Sequence, residues 1–212
     1  GGVGNAIIVW DTETGDELFR LSGTNTTGHT NRVRSIAFNP QGTLIASAGA
    51  DGRIVIWDVA NRTQSARWEA HTGGANTLTF SPNPNVQLLL SGGEDRLIKL
   101  WDPLTGALVQ NFTGHNGAVN SVAFNNDGTL FASGSDDDRV GVWSLADGFS
   151  KFLIGHSDDV LTLDFSPTIA SRLLSGSADN KVQLWDVLST TGSAIREFSQ
   201  HNEAVNGVAY FP

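Results

Sequence analysis

The stretch that decides the fold is SGGEDRLIKLWD, Ser91 to Asp102. It opens on Ser-Gly, turns through an acidic pair, runs through alternating aliphatic residues and closes on Trp-Asp. Near copies stand at SAGADGRIVIWD (Ser47 to Asp58), SGSDDDRVGVWS (Ser133 to Ser144) and SGSADNKVQLWD (Ser175 to Asp186). A chain that writes one dodecamer four times is a repeat protein, and its period has to be found before any single residue is interpreted.

Five tryptophans mark that period: Trp10, Trp57, Trp101, Trp143 and Trp185, with gaps of 47, 44, 42 and 42. All five histidines keep the same register: His29, His71, His115, His156 and His201. Glycine precedes three of them, while Ala70 and Gln200 take its place before the other two. The segments between these marks read as strands. Val119 to Phe124 is short, β-branched and bounded by the turn Asn125 to Gly128. Leu130 to Ser133, Arg139 to Trp143 and Ala107 to Phe112 behave alike, and no stretch sustains an apolar period of 3.6. Four short strands per repeat make one antiparallel sheet. Such a sheet cannot bury both faces alone, but it can by stacking on copies of itself. The expected fold is all-β, with four complete sheets and partial ones at either end. The repeats fall at 1–28 (partial), 29–70, 71–114, 115–155, 156–200 and 201–212 (partial).

Composition narrows the function classes. The 212 residues are 39% hydrophobic and 17% charged, a globular balance. Thirteen Lys and Arg against 22 Asp and Glu give a net charge of −9, which repels phosphate backbones and argues against nucleic-acid binding. No apolar run approaches the ~20 residues of a membrane helix. With no cysteine, disulfides and thiolate metal sites are excluded. There is no methionine either, so Gly1 is not a translation start, and the expectation is an excerpt of a larger chain or ring. No signal peptide is visible, and the expected location is the cytoplasm.

Ser, His and Asp recur together as Ser47/His29/Asp51, Ser91/His71/Asp95, Ser133/His115/Asp137 and Ser175/His156/Asp179. A hydrolytic triad needs one such set in one cleft with an oxyanion hole. Four equal sets in four equal repeats point to a structural role, so no catalytic residue is assigned. The histidines are a repeat apart and cannot share a zinc. Ser135 to Arg139 lacks the glycine and closing glutamate of a calcium loop. No metal or cofactor is expected. Gly1 to Ala6 is glycine-rich, but no helix follows it to form a phosphate loop. Trp68, three residues before His71, reads as core. The triplets at Asn25, Asn61 and Asn111 matter only in a glycosylating compartment.

A repeat of this length, with Gly-His before the first strand, Asp in a tight turn and Trp-Asp closing the third strand, resembles the WD40 family across the whole chain. The resemblance implies a β-propeller whose sheets are blades. It also implies a hydrogen-bonded tetrad in each blade: His29, Ser47, Asp51 and Trp57; His71, Ser91, Asp95 and Trp101; His115, Ser133, Asp137 and Trp143; His156, Ser175, Asp179 and Trp185. Two departures stand out: Gly4 sits where the first partial repeat would carry its Asp, and Ser144 replaces the Asp of Trp-Asp. Leu21 to His29 is longer than its equivalents, so a protruding loop is expected there.

The resemblance further implies a non-catalytic protein-interaction scaffold or assembly subunit, with other proteins as partners and no small-molecule substrate. The alternative is a sensor module of a larger ATPase or kinase. In the family, partner contacts gather on the face of the His-side loops. Carried over by position, these are Arg32, Arg34, Asn76, Glu94, Asn120, Asp136, Asp159 and Leu161. None is aromatic, which argues against a deeply anchored peptide. The expected pattern is a basic edge at Arg32 and Arg34 beside an acidic arc at Glu94, Asp136 and Asp159.

Overall fold

The computed structural model describes residues 5–23 and 27–211. Eighteen strands and no helix appear among them. Two open the chain, β1 (Ile7–Trp10) and β2 (Glu17–Leu21), paired only with each other. Four complete sheets follow. Blade 1 comprises β3 (Val33–Phe38), β4 (Leu44–Gly49), β5 (Arg53–Asp58) and β6 (Thr63–Glu69). Blade 2 comprises β7 (Ala75–Phe80), β8 (Leu89–Gly93), β9 (Ile98–Trp101) and β10 (Leu108–Phe112). Blade 3 comprises β11 (Val119–Phe124), β12 (Leu130–Ser135), β13 (Arg139–Ser144) and β14 (Gly148–Ile154). Blade 4 comprises β15 (Val160–Phe165), β16 (Arg172–Ser177), β17 (Val182–Asp186) and β18 (Arg196–Phe198).

Each blade is an antiparallel meander in chain order, as short strands joined by tight turns require. Trp57, Trp101, Trp143 and Trp185 all stand on the third strand. The strand read at Val119 to Phe124 is β11. The runs from Leu130 and Arg139 extend to Ser135 and Ser144, and the run from Ala107 begins at Leu108. The protruding loop expected before His29 includes residues 24–26, and Gly4 lies among residues 1–4; both lie outside the described residues.

The core lies between blades rather than within one. Ala46, Ala48, Ile54 and Ile56 of blade 1 pack with Ala75, Leu78, Phe80 and Leu89 of blade 2. Equivalent layers join blade 2 to blade 3 and blade 3 to blade 4. Ile7 and Leu21 of the opening pair pack on Ile45, Val55 and Trp57 of blade 1. Trp68 is half-buried in the first of these layers, with its ring 5.6 Å from that of Trp101.

Residues 201–211 form no strand pairing. They are nonetheless seated on blade 4: Val205 is buried, and its N–H donates to the Ser177 carbonyl at 3.0 Å. His201 and Trp10 keep the sequence register of their kind but not its environment; both are exposed.

Candidate functional site

Every complete blade contains the same polar relay. In blade 3, His115 Nδ1 lies 2.9 Å from Asp137 Oδ2 and its Nε2 lies 2.7 Å from Ser133 Oγ. Trp143 Nε1 donates to Ser133 Oγ at 2.8 Å. Blade 1 gives 3.0, 2.8 and 2.9 Å for His29–Asp51, His29–Ser47 and Trp57–Ser47. Blade 2 gives 2.7, 2.8 and 2.8 Å for His71–Asp95, His71–Ser91 and Trp101–Ser91. Blade 4 gives 2.8, 2.7 and 2.8 Å for His156–Asp179, His156–Ser175 and Trp185–Ser175.

Donor arithmetic fixes the proton positions. A carboxylate only accepts, so Nδ1 carries the histidine proton; Nε2 then accepts from the serine hydroxyl, whose oxygen accepts from the indole. The relay has the Asp–His–Ser order of a hydrolase. Its serine, however, is fully enclosed in all four blades and its oxygen is already occupied by an indole N–H. The aspartate also accepts the backbone N–H following the histidine, at Thr30, Asn116 and Ser157. The relay therefore ties the loop before the first strand to the second and third strands. Burial pushes the His71 and His115 imidazoles below their ordinary value, against the opposing pull of Asp95 and Asp137. Burial works to raise Asp95, but His71 and Lys99 outweigh it and hold its carboxyl at about 2.

A second set of contacts, not read from the sequence, joins one blade to the next. Ser35 Oγ accepts from Leu78 N at 3.2 Å, Thr77 Oγ from Val122 N at 3.3 Å, and Ser121 Oγ from Leu163 N at 3.1 Å. Asn76 Nδ2 donates to Val119 O at 3.1 Å and Asn120 Nδ2 to Val160 O at 3.2 Å. On the opposite side, Gln41 reaches Pro84 O and Asn126 reaches Pro167 O. The signals available in sequence were recurrence of a small hydroxyl six residues after His, as at Ser35, Thr77 and Ser121, and of asparagine five residues after it, as at Asn76 and Asn120.

The His-side positions converge in part. Arg32, Arg34, Asn76, Glu94, Asn120 and Asp136 line one shallow depression of about 440 Å³, together with Ala118. Asp159 and Leu161 are not part of that lining. The expected basic edge is reduced to Arg32. Arg34 turns across the blade boundary, bonds Asn76 and pairs with Glu94 at 2.6 Å, so that Glu94 is partly neutralised. The two charges lie on successive blades at positions that stacking brings together. Asn76 and Asn120 also spend an amide on the next blade, which gives them a joining role. The acidic arc starts instead at Asp136, which accepts from Asn120 at 2.6 Å, and gains two residues beyond those expected. Carboxylate oxygens of Asp138, Asp158 and Asp159 lie within 4.8 Å of one another. Burial, followed by repulsion from Asp136, Asp158 and Asp138, raises the Asp159 carboxyl.

Comparison with known proteins gives the same architecture. The family model described as WD domain, G-beta repeat matches residues 21–58, 62–102, 106–144 and 148–186. A guanine nucleotide-binding protein subunit beta from Oryza sativa subsp. indica is 29% identical over 197 residues, covering 87% of this chain and 52% of the relative. Nuclear distribution protein PAC1 of Komagataella phaffii is 30% identical over 182 residues, covering 83% and 29%. Periodic tryptophan protein 2 of Arabidopsis thaliana is 27% identical over 207 residues, covering 97% and 22%. The chain thus spans about half the length of its G-beta-type relative and less of the other two. With its four sheets, four relays and four matched repeats, the chain belongs to the WD40 family.

Proposed function

We propose that this chain is a non-catalytic interaction scaffold or assembly subunit whose partner protein docks on the His-side face through a basic segment. The observation that carries the reading is the grouping of six His-side residues from three successive blades around one depression, with Asp136, Asp138, Asp158 and Asp159 clustered in the same His-side loops. A stiff stack of blades supports such loops without moving, and loops on rigid scaffolds are where binding resides. The similarity to proteins named as a G-beta subunit and as PAC1 supports a role in assemblies. The depression is polar and has no aromatic anchor, so charge complementarity sets encounter rate and partner choice more than affinity.

The test is charge reversal. Asp136→Lys, Asp158→Lys and Asp159→Lys together should slow association with a co-purifying partner by more than tenfold, roughly, at low salt and flatten its salt dependence. The denaturation midpoint should stay close to that of the parent, because these side chains are not part of the relays. An unchanged association rate and salt dependence would contradict the reading.

A further inference from the structure

The turns at the strand ends opposite the His-side loops carry a different kind of surface. At the joint of blades 1 and 2, Leu44, Val59, Ala60 and Leu104 line a groove of about 500 Å³, together with Asp58 and Gln87. Leu104 is 63% exposed, and Val86, next to Gln87, is 41% exposed. Apolar side chains grouped in a concave site, unlike scattered ones, mark a binding surface. The walls are fixed before any ligand arrives. Asn39 Oδ1 accepts from the N–H groups of Thr43 and Leu44, and Val59 N donates to Thr43 O. Gln41 Nε2 donates to Pro84 O at 2.7 Å, which ties the β7–β8 loop to blade 1. Asp102 Oδ1 accepts from Leu104 N at 2.8 Å and sets the turn that presents Leu104 to solvent. A groove built this way needs little ordering on binding.

Other joints lack this combination. Three residues past the third-strand Trp, Leu104 is matched by Ala146 in blade 3 and by Leu188 in blade 4. Leu188 is exposed as well, but the blade before it has Ser144 where blade 1 has Asp58, and Arg172 opens β16. Among the joints between complete blades, that of blades 1 and 2 alone combines a leucine from the later blade with an aspartate from the earlier one. Asp58 is ionised there, because the backbone and side-chain N–H groups of Asn61 donate to it and hold its carboxyl below the usual value. Asp102 opens the turn of Leu104, and the β1–β2 turn at the same end of the strands adds Asp11, Glu13 and Asp16. The cation of this region, Arg62, is engaged elsewhere: its guanidinium lies 5.1 Å from the centre of the Phe19 ring.

We propose that this groove docks a partner protein through a segment that sets one large aliphatic residue beside a lysine or arginine. The aliphatic side chain packs on Leu44, Val59 and Leu104, and its cationic neighbour meets Asp58. The same carboxylates repel anionic lipid and nucleic acid, and a second copy of this chain, at a net charge of −9, brings mostly like charge. The groove lies at the opposite end of the strands from the His-side depression, so each face can hold its own partner.

A random peptide library displayed on phage tests this, selected on the chain carrying Asp136→Lys, Asp158→Lys and Asp159→Lys, which removes the His-side attraction. Enriched peptides should pair a leucine, isoleucine or methionine with an adjacent lysine or arginine, and should bind the parent chain equally well. Adding Leu104→Ser should weaken them by roughly tenfold or more, as loss of one buried aliphatic contact does, with the denaturation midpoint unchanged. Asp58→Asn should flatten the salt dependence of binding. A selection without that consensus, peptides that bind Leu104→Ser as tightly as before, or a salt dependence that survives Asp58→Asn would overturn the proposal.

Discussion

The four relays are single-residue devices repeated, and their energetics are those of a buried polar network. Such a network stabilises only while every member is satisfied. His71 and His115 are held neutral by burial, so both have a lowered folded value against 6.5 in the unfolded chain. Unfolded histidine then binds the proton more readily, and stability present above 6.5 is lost as pH falls through the folded values. The four aspartates have lowered carboxyls, Asp95 at about 2 against 3.8. Their contribution is present above 3.8 and is lost as pH falls further. Denaturant midpoints measured from neutral pH downward should therefore fall in two stages, one below 6.5 and one below 3.8. A flat midpoint across the first stage would show that the histidines are not buried neutral partners. The recurrence of the relay members was legible in the sequence because their spacing repeats, while their joining into one hydrogen-bonded tetrad was implied by the family resemblance. The pairing of Arg34 with Glu94 was not, since it depends on which side chains two blades bring together.

At the scale of elements, strands and turns were the most legible part, because period-two runs bounded by Gly, Asn and Asp leave few alternatives. What the pattern did not reveal is a shared backbone demand in the turn between second and third strands. Gly52, Arg96, Asp138 and Asn180 occupy equivalent positions, one after the relay aspartate, and all have positive φ: 76°, 66°, 64° and 66°. A non-glycine residue there is strained by roughly 1–2 kcal/mol, partly offset by the extra unfolded-state freedom of glycine. Arg96→Gly should therefore stabilise the chain by about 0.5–1 kcal/mol. Gly52→Ala should do the opposite, because a Cβ there would also stand 2.3 Å from the His71 carbonyl oxygen. Thermal unfolding of the two variants checks both signs, and equal shifts would mean the turn is not the constraint.

At the scale of the whole molecule, everything rests on blades stacking face to face in one register. The sequence implied stacking, since one sheet cannot bury two faces, but not the contacts that fix it. The residue after each relay serine is small; in blades 1 to 3 it faces the first strand of the next blade, and in blade 4 it meets the strandless segment 201–211. A Cβ on Gly92, Gly134 or Gly176 would lie 2.5, 2.6 or 2.7 Å from Cγ1 of Val119, Val160 or Val205. In blade 1 that residue is Ala48, and the corresponding position of blade 2 is Ala75; both are fully buried in one core layer. Size is thus traded across the joint, glycine against valine or alanine against alanine. The most direct test is a double-mutant cycle at the joint of blades 3 and 4, read by equilibrium denaturation. Gly134→Ala alone should cost about 1–3 kcal/mol by overpacking, and Val160→Ala alone a similar amount by leaving a void. Combined, they rebuild the Ala48–Ala75 arrangement, so the double variant should be more stable than the sum of the two losses by about 0.5–3 kcal/mol. Strictly additive losses would contradict the account.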